Sequence, residues 1–107
     1  MSTPFDAVLA QIRAERDYQD RVYGEQHLPD GAGTAHRQWQ ASNSKVQRNI
    51  AIGRDELTWT HLLEERTDRA LASTTDDMLF DRLVKVAAVS IAWAEDLLSR
   101  ERSGVTA

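Results

Sequence analysis

Residues 58–73 read TWTHLLEERTDRALAS, and the rest of the chain is best interpreted outward from them. Thr58 supplies a capping hydroxyl. Trp59, Leu62, Leu63, Ala70 and Leu71 recur at helical spacing, which predicts a helix with these five on its core side. At about 100° per residue, His61, Glu64, Glu65 and Asp68 share the opposite face. Ser73, Thr74 and Thr75 end the segment.

The next helix is expected from about Asp76 to Arg102, with Gly104 past its end. Its middle, LVKVAAVSIAWA (residues 83–94), is apolar nearly all round. A helix of that kind needs more cover than three neighbours provide, which predicts a homodimer or larger assembly through residues 84–94. Upstream, Thr3, Pro4 and Asp6 form a helix-start signature. Phe5, Val8, Leu9, Ile12, Gln19, Val22 and Tyr23 keep helical spacing up to Gly24. The glycine-rich GEQHLPDGAGT (residues 24–34) predicts a loop. Thr34 then caps a sparse, polar helix running to about Ile52, with Trp39, Val46 and Ile50 on one face and residues 53–57 as a connector. The expectation is an all-α, four-helix bundle in a single domain covering residues 1–107.

Bulk properties narrow the function classes. The chain has 107 residues, 41% hydrophobic and 28% charged, as in a folded globular protein. Formal charge is −4 with no basic stripe, so no nucleic acid is expected as a partner. There are no cysteines, which removes disulfides and thiolate metal sites. No basic, apolar leader opens the sequence and no apolar run reaches membrane-spanning length, so no membrane partner and a cytoplasmic location are expected.

Chemistry concentrates on two helices. Glu64, Glu65 and Asp68 repel one another by a few tenths of a kcal/mol per pair, and water, a basic partner or a hard cation such as magnesium would offset that. On the fourth helix, Arg82 and Lys85 lie one turn apart on the side of Met78, Val86, Val89 and Trp93. Either they point inward and pair with the acids, or Lys85 pairs with Asp81 at i, i+4 and both bases reach solvent. His61 is either a charge partner for Glu64 and Glu65 or a proton carrier.

These residues resemble the MazG-like family of all-α nucleoside triphosphate pyrophosphohydrolases. ERDYQDRVYGEQHLPDG (residues 15–31) is similar to the family's segment in which the first helix ends in a glutamine- and glycine-bearing loop. LTWTHLLEERTDRAL (residues 57–71) looks like its EExxE helix, here EERTD, and LVKVAAVSIAWAEDL (residues 83–97) is similar to the helix that follows its ExxD element. The resemblance covers most of the chain. It implies a dimeric or tetrameric helical bundle in which acids of both helices bind magnesium. The metal holds a triphosphate while an activated water attacks phosphorus, which puts Glu64, Glu65 and Asp68 on metal-binding positions. The chain departs from the pattern where the second motif should supply acids, because Arg82 and Lys85 stand there. Three carboxylates and two cations give −1 where five carboxylates give −5, which largely removes the electrostatic demand for magnesium.

His27 and His36 fit exposed polar positions better than ligands. Trp39, Trp59 and Trp93 fit a core better than a stacking site, Trp39 being the best stacking candidate of the three. Tyr18 and Tyr23 have no role that the spacing requires, and no nucleophile arrangement or Walker loop is present. The favoured expectation is a catalytic or binding set of Glu64, Glu65, Asp68, Arg82, Lys85 and His61. These would surround a pocket between the third and fourth helices, repurposed from nucleotide hydrolysis, for a small polar or phosphate-bearing ligand such as a nucleotide. The alternatives are a working magnesium-dependent pyrophosphohydrolase, helped by Asp77 or Asp81, and a non-enzymatic helical dimer.

Overall fold

A computed structural model describes residues 3–102. It is all-α, with α1 Pro4–Tyr23, α2 Ala35–Gly53, α3 Trp59–Leu71 and α4 Asp76–Arg102, and the described residues contain no strand. The starts follow from side-chain chemistry. The Thr3 hydroxyl accepts from the Asp6 N–H while the Asp6 carboxylate accepts from the Thr3 N–H, with Pro4 in the first turn. Thr34 caps α2 by accepting from the Arg37 N–H. Thr58 caps α3 by accepting from the His61 N–H. Gly24 ends α1 at φ 67, a conformation that costs glycine nothing. α2 runs one residue past the expected Ile52, through Gly53. Gly104 lies outside the described residues.

The chain forms two compact units. One runs Asp30–Ser90 and is organised by α2 lying along α3. The face α2 turns to its neighbour is not the expected Trp39, Val46 and Ile50, which are exposed by 63%, 52% and 42%. Instead Arg37, Ala41, Ser44, Arg48 and Ala51 are half-buried or buried, a 4-3-4-3 spacing that makes one continuous seam. Small side chains let the helices approach, and Ala51, Ala70 and Ala72 are among the few buried hydrophobic residues. α3's expected core side is only partly covered: Ala70 is buried, while Trp59, Leu62, Leu63 and Leu71 are intermediate. The loop before α2 is tied to the end of α3. The Gly33 N–H donates to the Leu71 carbonyl at 2.8 Å, and a methyl group placed on Gly33 would come 2.7 Å from the Ser73 carbonyl oxygen. Gln38 adds a side-chain donor to the Ala72 carbonyl at 2.6 Å. Along the first half of α4, Phe80, Leu83 and Val84 remain exposed.

The other unit consists of α1, the loop as far as Pro29, and α4 from Ile91 onward. Val8 is its buried hydrophobic residue, while Phe5, Leu9, Ile12 and Leu97 stay exposed. A groove of about 570 Å³ runs between its helices, floored by Val8, Ile12, Ala94, Leu97 and Leu98. No helix among the described residues is long and apolar enough to cross a membrane.

Candidate functional site

Two of the three acids expected to face solvent, a metal or α4 belong to the α2–α3 seam. Glu65 is only 4% exposed. Its carboxylate pairs with the Arg66 guanidinium, and the Arg48 Nη1 approaches from α2 at 3.8 Å. Asp68 accepts a hydrogen bond from the Ser44 hydroxyl, also from α2. Helical geometry explains both contacts: Ser44 and Arg48 are one turn apart on α2, and Glu65 and Asp68 are three residues apart on α3, so the two steps match in opposite chain directions. Glu64 points out of this seam and is exposed. His61 is spent on the helix start, where its Nδ1 lies 3.1 Å from the Thr58 N–H and 2.7 Å from the Thr58 hydroxyl.

Arg82 and Lys85 have partners of their own. Lys85 Nζ pairs with Asp81 at 2.6 Å, both side chains more than half exposed. The ammonium donates to the Asp81 carboxylate and holds its pKa below the usual value of 3.8, chiefly through that hydrogen bond and charge. Arg82 Nη1 donates to the Arg69 carbonyl at 3.1 Å and to the Ser73 Oγ at 3.2 Å, which fastens α4 to the end of α3. The six residues singled out from sequence therefore do not surround one pocket. Glu65 and Asp68 are brought together, while His61, Arg82 and Lys85 each serve a separate contact.

The donor set also fails to fit magnesium, which demands several oxygen ligands in near-octahedral array. Among the described residues, no group of three or more histidine and acidic side chains lies close enough to hold a metal ion. Of the three acids assigned by resemblance, two are already satisfied by protein groups and the third faces away. Asp77 and Asp81 are exposed, the latter committed to Lys85.

A polar cleft does exist beside this network, between α2 and α3 rather than between α3 and α4. It holds about 380 Å³ and is lined by Gln38, Ser42, Lys45 and Arg48 from α2 and by Glu65 and Arg69 from α3. The sequence reasoning named only Glu65 among these. A signal for Arg48 was available in the 3-4-3 run of small and polar residues Ala41, Ser44, Arg48 and Ala51, which marks a packing face that hydrophobicity alone passes over; Gln38, Ser42 and Lys45 flank that face. Trp39 is outside the cleft and stacks on His36, ring centroids 6.4 Å apart and planes 14° from parallel. His27 is exposed beside Glu25 at 3.2 Å. Tyr18 and Tyr23 are exposed.

No protein-family model, no curated protein and no solved structure matches this chain.

Proposed function

We propose that the chain is a MazG-like helical homodimer that binds a small polar or phosphate-bearing ligand and does not carry out magnesium-dependent pyrophosphate release. The observation that carries this is Glu65, buried and held between Arg48 and Arg66. To ligate magnesium it would have to leave two half-buried guanidiniums uncompensated, and breaking a buried pair costs about 3–5 kcal/mol. At about 1.4 kcal/mol per tenfold, that removes roughly two to three and a half orders of magnitude from any magnesium affinity. The hydrogen bond from Ser44 to Asp68 works in the same direction.

The homodimer is supported by the apolar surface of α4, where Phe80, Leu83 and Val84 are exposed by 73%, 49% and 54%. A second copy is the simplest cover for such a stripe. Sedimentation at micromolar concentration is expected to give a dimer, and Val84→Glu to give a monomer. For the ligand-binding reading, calorimetric titration with magnesium is expected to show no stoichiometric uptake, and nucleoside triphosphates no release of pyrophosphate. Tight magnesium binding that disappears in Glu64→Gln, together with pyrophosphate release, would favour a working hydrolase instead.

A further inference from the structure

We infer that the α2–α3 cleft is a metal-free binding site for a phosphomonoester dianion, held by Lys45, Arg48 and Arg69. This rests on the ligand-binding function proposed above and places it on residues outside the acidic motif.

Charge is the first observation. Three cations and one carboxylate line the cleft, a local +2 in a chain whose formal charge is −4. The single carboxylate is Glu65, and Arg66 occupies it from outside the cleft. The second observation is that the cations are not saturated. Neither Lys45 nor Arg69 forms an ion pair among the described residues, Arg69 acting on the Asp81 charge without contact, and both are exposed enough to meet a ligand. Arg48 reaches Glu65 only at 3.8 Å, makes a 3.4 Å bond to Asn49, and keeps a buried Nε without a partner. With only these long contacts, the Arg48 guanidinium retains hydrogen-bonding capacity for an oxyanion.

Geometry points to the ligand class. Gln38, Ser42, Lys45 and Arg48 succeed one another at three- and four-residue steps along α2, and Arg69 stands one turn after Glu65 on the facing helix. The anion is therefore approached from both walls, with the Ser42 hydroxyl as a neutral donor. A carboxylate would neutralise only half of the +2, whereas a phosphomonoester carries between −1.5 and −2 near neutral pH. The volume of about 380 Å³ lies within the range of small-molecule pockets, so an organic group fits beside the phosphate.

The test uses methyl phosphate and the full chain, in a buffer free of phosphate and containing EDTA, with binding read by calorimetry. Arg69→Gln and Lys45→Gln are each expected to weaken binding about tenfold, the value of one lost charge-assisted contact, while Arg54→Gln, outside the cleft, leaves it unchanged. Both sites are exposed, so these variants keep the fold, which circular dichroism verifies. Lowering the pH from 7.5 to 5.0 protonates the phosphomonoester, whose second pKa is about 6, and should weaken methyl phosphate about tenfold while leaving sulfate unaffected. Vesicles containing phosphatidic acid present the same group. Capture by them at matching affinity assigns the source to a lipid headgroup, and its absence assigns a soluble ester. No binding of methyl phosphate, equal binding by the Lys45 and Arg69 variants, or affinity indifferent to pH would overturn the site. Magnesium-dependent pyrophosphate release would overturn only the function proposed above, because the calorimetry is done without free metal.

Discussion

Two ion pairs in the Asp30–Ser90 unit use similar side chains to opposite ends. On α3, Glu65 is buried between its own neighbour Arg66 and Arg48, which approaches at 3.8 Å from a different helix 17 positions earlier in the chain. On α4, Asp81 and Lys85 are more than half exposed and sit one turn apart on the same helix. The first group joins two elements, and Glu65 depends on both guanidiniums for the loss of water. The second decorates a surface, where solvent and salt stand ready to replace either member. Sharing the charge types of an acidic motif and a basic pair does not make one site. What separates the two cases is whether a second helix covers the charges.

Three substitutions bear on that contrast, ordered by expected size. Glu65→Ala should be the most damaging, costing about 3 kcal/mol in urea or thermal unfolding, because Arg48 and Arg66 then lose their counter-charge inside the α2–α3 seam. An effect below about 1 kcal/mol would put Glu65 in the same class as Asp81 and dissolve the comparison. Arg82→Met is intermediate. It removes donors from the Arg69 carbonyl and from the Ser73 hydroxyl of a buried residue, for an expected loss of about 1–2 kcal/mol. Lys85→Met should leave the unfolding midpoint within experimental scatter. It should be visible instead in the Asp81 carboxyl, followed by NMR, which titrates below 3.8 in the parent and should move back up in the variant. Because the folded value is lowered, whatever the pair contributes is present above the ordinary carboxylate range and is lost as pH falls through that lowered value. An Asp81 titration unchanged by Lys85→Met would show that the surface pair does not form in solution.

Much of the fold was legible because helix punctuation is local. Thr3 with Asp6, Thr34, Thr58 and Gly24 each act through atoms within four residues, and the structure uses all of them as the sequence predicts. The Asp81–Lys85 pairing, one of two alternatives for Lys85, is local in the same way. The packing face of α2 was not legible. Hydrophobic periodicity places Trp39, Val46 and Ile50 inward, but Ala41, Ser44 and Ala51 let α3 approach more closely, and Arg48 and Ser44 are tolerated there because Glu65 and Asp68 meet them. The site suffered for the same reason. No rule of spacing within α3 indicates that Glu65 will be buried, since Arg66 is local but Arg48 and the face that covers the carboxylate lie on another helix.

Gly33 sets out what evolution and the engineer can do to the loop between α1 and α2. Its φ of 79° and the closeness of the Ser73 carbonyl mean that any side chain there meets backbone. The residues from Gly24 to Asp30, by contrast, are exposed throughout. Lengthening that stretch costs little, since doubling a flexible loop adds only about 0.6 kcal/mol of closure entropy. The segment is thus permissive for insertions of tags or reporter peptides up to Asp30, and closed to single-residue change three positions later.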